Sequence, residues 1–194
     1  MESAGYDTSC RYHLKPGETN TETTLERVYR RGKELSIKNI LVPTCTGRSA
    51  FVAIEALKGE FGIIAVTHVT GFLKPDTQEL SEENRTVLLG QGIKILTAQH
   101  AFGGVGRGVR NKLGTYQVDE IMAFALRVFG QGTKVAIELA LMAADAGLIR
   151  TDEDVISLGG TSHGVDTALL LKPANSSNIF DLKVREVICK PAQF

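Results

Sequence analysis

Thr44-Cys45-Thr46-Gly47-Arg48-Ser49 crowds three hydroxyl side chains, a glycine and an arginine into six residues, just after the apolar run Ile40-Leu41-Val42. If a helix begins at this turn, its unpaired backbone N–H groups and positive dipole end favour an anion, and a phosphate is the expected guest. The same residues also serve as an ordinary helix cap, since Ser and Thr are common there. Cys45 sits inside the turn, where a thiol pKa can fall and a nucleophile can arise; a buried, inert cysteine is the simpler expectation.

Two further clusters carry possible chemistry. Gly103-Gly104-Val105-Gly106-Arg107-Gly108 resembles a dinucleotide fingerprint, but Val109 stands where the last glycine of G-x-G-x-x-G belongs, and no acidic residue follows at the right spacing. It is read as a glycine-rich loop from His100 to Gly114, mobile when empty, acting either as a phosphate-contacting lid or as a plain surface loop. Gly159-Gly160-Thr161-Ser162-His163-Gly164 permits close backbone approach to a flat or charged ligand. His68, His100 and His163 invite a metal, but they are far apart in sequence with no H-x-x-x-H pair, so no metal site is expected. Ser162, His163 and Asp166 are too close together to form a triad, and there is no G-x-S-x-G elbow.

These groups need elements to hold them. A capping box from Thr19 to Glu22 opens a helix with Leu25, Val28, Tyr29, Gly32 and Leu35 on one face. A strand from Asn39 to Pro43 leads into the Thr44 turn. The next helix presents Ala50, Ala53, Ile54 and Leu57, and Gly62 to Val66 reads as a strand buried on both faces. Ser81 caps a third helix that ends before Gly92, and Ile93 to Leu96 is a third strand. Helices at Val118 to Phe129 and Thr133 to Ala146 precede strands at Val155 to Leu158, Thr167 to Leu171 and Val184 to Ile188, the last antiparallel or at an edge.

Alternating strands and helices predict an α/β fold, three layers around a mostly parallel sheet, with ligands beyond the carboxyl ends of the strands. That rule puts the loops Thr44 to Ser49, Thr67 to Pro75, Thr97 to Gly114 and Gly159 to Asp166 at one rim. The chain has 194 residues, 43% hydrophobic, enough for one sizeable core, and no run approaches the roughly 20 apolar residues of a membrane span. Residues 1–14 are expected to be a loosely held arm and residues 15–194 a single domain. Lys plus Arg number 22 and Asp plus Glu 22, so no long-range field attracts nucleic acid or an anionic membrane. Three scattered cysteines fit neither a disulfide framework nor a zinc knuckle, and with no signal-like N-terminus they point to the cytoplasm.

Thr44-Cys45-Thr46-Gly47-Arg48-Ser49-Ala50 followed by Ile63-Ile64-Ala65-Val66-Thr67 resembles the C-terminal domain of pyruvate kinase, where a similar turn receives a phosphate of the allosteric sugar bisphosphate. Lys15-Pro16-Gly17, Asn20-Thr21, Thr70-Gly71-Phe72, Gly159-Gly160, Gly164-Val165-Asp166-Thr167-Ala168 and Phe180-Asp181 resemble small stand-alone microbial proteins built on this domain. The resemblance implies a flavin mononucleotide (FMN)-type ligand for at least some of them. It does not imply pyruvate kinase activity, whose site lies on a separate barrel of roughly 250 residues. In the resulting expectation Thr44, Thr46, Gly47, Arg48 and Ser49 hold the phosphate, while Thr67, His68, Gly71, His100, Gly160, Thr161 and Asp166 line the remainder. The expected role is a ligand-sensing or regulatory module, with a small FMN-dependent oxidoreductase as the alternative and homo-oligomeric association as a third reading.

Overall fold

Alternation along the strands decides the architecture. The computed structural model describes residues 5–57 and 59–194 and contains one seven-stranded sheet in the order β1-β7-β6-β5-β2-β3-β4. Its strands are β1 Arg11–His13, β2 Asn39–Pro43, β3 Gly62–Thr67, β4 Lys94–Thr97, β5 Val155–Gly159, β6 Thr167–Lys172 and β7 Lys183–Pro191. Side chains on a strand point alternately to opposite faces. Ile40, Val42, Ile63, Ala65, Ile156, Leu158, Ala168 and Leu170 therefore enter one core, and Leu41, Ile64, Val66, Val155, Leu169 and Leu171 the other.

Helices α1 Thr21–Glu34, α2 Arg48–Leu57 and α3 Glu82–Gly90 cover the first face through Leu25, Val28, Ala50, Ala53, Leu57 and Leu88. Helices α5 Val118–Arg127 and α6 Gln131–Asp145 cover the second, with α6 buried along most of its length. The result is a three-layer α/β fold. β2 pairs in parallel with β3 and β5, β3 with β4, and β1 with β7; β6 is antiparallel to both neighbours and alone runs opposite to the rest. Between β2 and β5 the connections diverge, α2 passing to one face and α6 returning on the other, which is the switch point where such sheets place ligands. Among the described residues no helix is long and apolar enough to cross a membrane.

Three expectations are corrected. Arg11–His13 are not part of a loose arm: they pair with Cys189 to Pro191, so β7, antiparallel to β6 as expected, is covered on its other side by β1, and buried His13 lies 3.2 Å from the Thr24 hydroxyl. The Thr19 capping box does not form, because Glu18–Asn20 make a 3-10 turn and α1 starts at Thr21 without a side-chain cap. Ser81 does cap α3, accepting from the Asn84 N–H at 3.2 Å. The supposed loop from His100 to Gly114 contains a helix, α4 Val105–Leu113, closed by Gly114 at φ 72°. Arg110 ties it to Glu120 of α5 at 3.0 Å, and tertiary contacts of this kind override the low helix propensity of its glycines.

Candidate functional site

The turn after β2 is built before it can bind anything. Thr44 N–H donates to Val66 O at 2.9 Å, docking the turn on β3, and the buried Thr44 hydroxyl accepts from Gly47 N–H at 3.0 Å. Gly47 has φ 101°, and a Cβ there would stand 3.2 Å from both Leu80 and Phe51, so the position needs glycine. Asn84 donates to Thr46 O at 2.8 Å. Thr44 and Gly47 thus shape the turn, while Thr46 and Arg48 are exposed and Ser49 half-buried at the start of α2. The Arg48 guanidinium pairs with Glu18 at 2.9 Å, both side chains more than half exposed.

His68 follows β3 and is held from several sides. Its carbonyl accepts from Gln78 at 3.0 Å and from the Thr67 hydroxyl at 2.9 Å; that same buried hydroxyl is 2.7 Å from Thr97. Its ring nitrogens reach Glu79 Oε2 at 2.6 Å through Nδ1 and Cys45 Sγ at 3.5 Å through Nε2. Burial, with the Glu79 charge added, pushes the Cys45 thiol up to about 11, so it is no free thiolate at neutral pH. On its other side the His68 ring lies 4.0 Å from the Phe72 ring and 5.4 Å from His100, by ring centroids.

Beyond these rings a cleft of about 430 Å³ opens between the loops after β3 and β4, lined among others by Gly71, Phe72, His100, Gly104 and Arg107. Phe72 and His100 stack at 13°, and the Arg107 guanidinium sits 4.7 Å above Phe72. Glu138 of α6 supports this wall from below: it accepts from Phe102 N–H at 2.9 Å, pairs with Lys134 and lies 3.7 Å from His100 Nδ1. Burial alone would raise the Glu138 pKa, but hydrogen bonds from His100 and Lys134, with their charges, bring it to about 2. The other nitrogen of His100, Nε2, is buried with no hydrogen-bond partner among the described residues.

The expected residues therefore fall into two groups. Gly71 and His100 line the cleft, the His68 ring packs behind it on Phe72 and His100, and buried Thr67 lies deeper, its hydroxyl on Thr97; Cys45 joins the Thr44–Ser49 turn to His68. Gly160, Thr161 and Asp166 lie in the turn between β5 and β6, which packs on the N-terminal segment: a Cβ on Gly164 would meet Thr21 and Glu18. Fully buried Asp166 accepts from Gly17 N–H at 2.9 Å and from Thr167 at 2.8 Å, so its carboxylate is committed to the fold. Gly160 makes room for the Gly164 carbonyl, and Thr161 Oγ1 is buried with no hydrogen-bond partner among the described residues. Glu18 bridges the two groups through Arg48.

Glu79, Phe72 and Glu138 went unrecognised in the sequence. No spacing links Glu79 to His68 or Cys45, but Lys134 and Glu138, an i, i+4 charged pair inside an otherwise apolar helix, were a readable sign of a buried polar site. A family model described as pyruvate kinase, alpha/beta domain, matches residues 22–171, from α1 through β6. The turn after β2 and both rim loops fall within that match, and the chain belongs to the pyruvate kinase alpha/beta domain family.

Proposed function

We propose that the protein binds a phosphorylated small molecule across the carboxyl rim of the sheet, its phosphate on the first turn of α2 and its flat body toward the Phe72–His100 cleft. The observation that carries this reading is His100 Nε2, a buried ring nitrogen with no partner among the described residues, beside an open cleft, since buried polar atoms are ordinarily satisfied. The continuous path from Cys45 through His68 to Phe72 supports one ligand reaching both places. FMN is the ligand to test first: Thr46, Arg48 and Ser49 would hold its phosphate, and His68, Gly71, Phe72 and His100 its ring system. Redox chemistry would belong to the flavin, while these residues position it. The role follows as ligand sensing, with flavin-linked oxidoreduction as the alternative. Three free cysteines fit a reducing compartment, and we place the protein in the cytoplasm.

The test is to denature purified protein, analyse what it releases by absorbance and mass spectrometry, and then titrate FMN, riboflavin and a sugar bisphosphate by calorimetry. FMN should bind at least tenfold tighter than riboflavin, which lacks the charged anchor. Equal affinities would remove the phosphate from the α2 turn, and no binding of any of the three would overturn the reading.

A further inference from the structure

Cys45 comes from the loop after β2, and His68 and Glu79 from the two ends of the loop between β3 and α3, yet their ligand-type atoms lie within 4.8 Å of one another. A carboxylate can only accept, so the 2.6 Å contact between His68 Nδ1 and Glu79 Oε2 puts a hydrogen on Nδ1. In the neutral ring the lone pair then belongs to Nε2, which faces Cys45 Sγ at 3.5 Å. That separation matches two ligands of a tetrahedral zinc-type ion: bonds of about 2.3 Å to sulfur and 2.0–2.1 Å to nitrogen give an edge of roughly 3.5 Å. A carboxylate on the far ring nitrogen is the usual outer support of a metal-bound histidine.

We propose that Cys45 Sγ and His68 Nε2 coordinate a zinc-like divalent cation, with Glu79 orienting His68 from behind and water filling the remaining positions. The metal displaces the Cys45 thiol proton to solvent on binding, and the charges then fit, since one thiolate and the carboxylate together balance a dication. Soft sulfur with imidazole selects zinc-type ions over magnesium or calcium. His68 is placed in advance by the bonds to its carbonyl, so little rearrangement is needed on loading. The proposal stands apart from phosphorylated-ligand binding, because its test uses the metal alone.

Chelator-treated protein is titrated with cobalt(II) chloride and then with zinc chloride. One equivalent of cobalt should produce a thiolate-to-cobalt charge-transfer band that zinc abolishes. Cys45→Ser should remove the band, whereas Cys10→Ser should keep it. Glu79→Gln should weaken cobalt binding by about 10–100-fold. His68→Gln gives an independent reading that leaves the thiol in place, and it too should lose the band, with circular dichroism confirming the fold. Zinc should also slow iodoacetamide alkylation of Cys45. Absence of any band, its survival in Cys45→Ser or His68→Gln, or alkylation of Cys45 at an unchanged rate in saturating zinc would overturn the site.

Discussion

Arg48 and Glu18 face each other at 2.9 Å on the surface, and an exposed pair of this kind contributes little to stability. If the turn holds a phosphate as proposed, the effect of the pair is on binding, because Glu18 neutralises the one guanidinium there. Arg48→Ala should weaken FMN about tenfold, Glu18→Ala should strengthen it severalfold, and both should shift the urea midpoint by less than about 0.5 kcal/mol equivalent. Asp166 should behave in the opposite way. Its replacement by alanine leaves the Gly17 N–H and the Thr167 hydroxyl without their acceptor and should cost about 2–4 kcal/mol in urea unfolding. If Asp166→Ala instead kept full stability and lost ligand affinity, the residue would be a ligand contact after all.

Among the elements, α4 is where local and tertiary forces conflict. Four glycines between 103 and 108 favour a loop, yet Val105–Leu113 is helical because Arg110 pairs with Glu120 and stacks on Tyr116, and Gly106 lies close against Asp119. A Cβ at Gly106 would collide with Asp119, whereas one at Gly108 would meet nothing within 4 Å. Gly108→Ala should therefore raise unfolding free energy by about 0.5–1 kcal/mol, and Gly106→Ala should raise it less, because the Asp119 carboxylate must first swing aside. Urea denaturation of the two variants checks the order. A gain in Gly106→Ala equal to that in Gly108→Ala would mean that the Asp119 carboxylate does not lie against α4.

For the whole molecule, several groups make stability fall with acid. His13 is buried, with Arg11 nearby, and both hold its pKa below the ordinary value; protonation therefore favours the unfolded chain once pH drops below about 6.5. Glu138, at about 2, and Glu186, lowered chiefly by hydrogen bonds from Arg31 against the cost of burial, add stability that is complete above about 4.5 and lost as pH falls below it. Unfolding free energy against pH should be flat near neutrality, decline below about 6.5 and steepen below about 4.5. Glu138→Gln should flatten the lower limb by up to one proton, about 1.4 kcal/mol per pH unit. An unchanged limb would show that the His100–Glu138–Lys134 cluster is not formed.

Periodicity in the sequence was sufficient for the α/β class, for β2 to β5 and for the helices that cover them, because burying two faces of a sheet forces near-continuous apolar strands and amphipathic helices. The turn at Thr44 was legible for the same local reason: a glycine and hydroxyl residues between strand and helix serve the backbone there. What spacing could not reveal was decided by chain segments meeting in three dimensions. β1 exists because β7 offers it an open edge, α4 because α5 holds it, and Asp166 turned inward because Gly17 arrives with an unpaired N–H. The grouping of Cys45, His68 and Glu79 is of this kind too. Comparing histidines with histidines missed it, since the strand order, and not sequence distance, sets which loops share the rim.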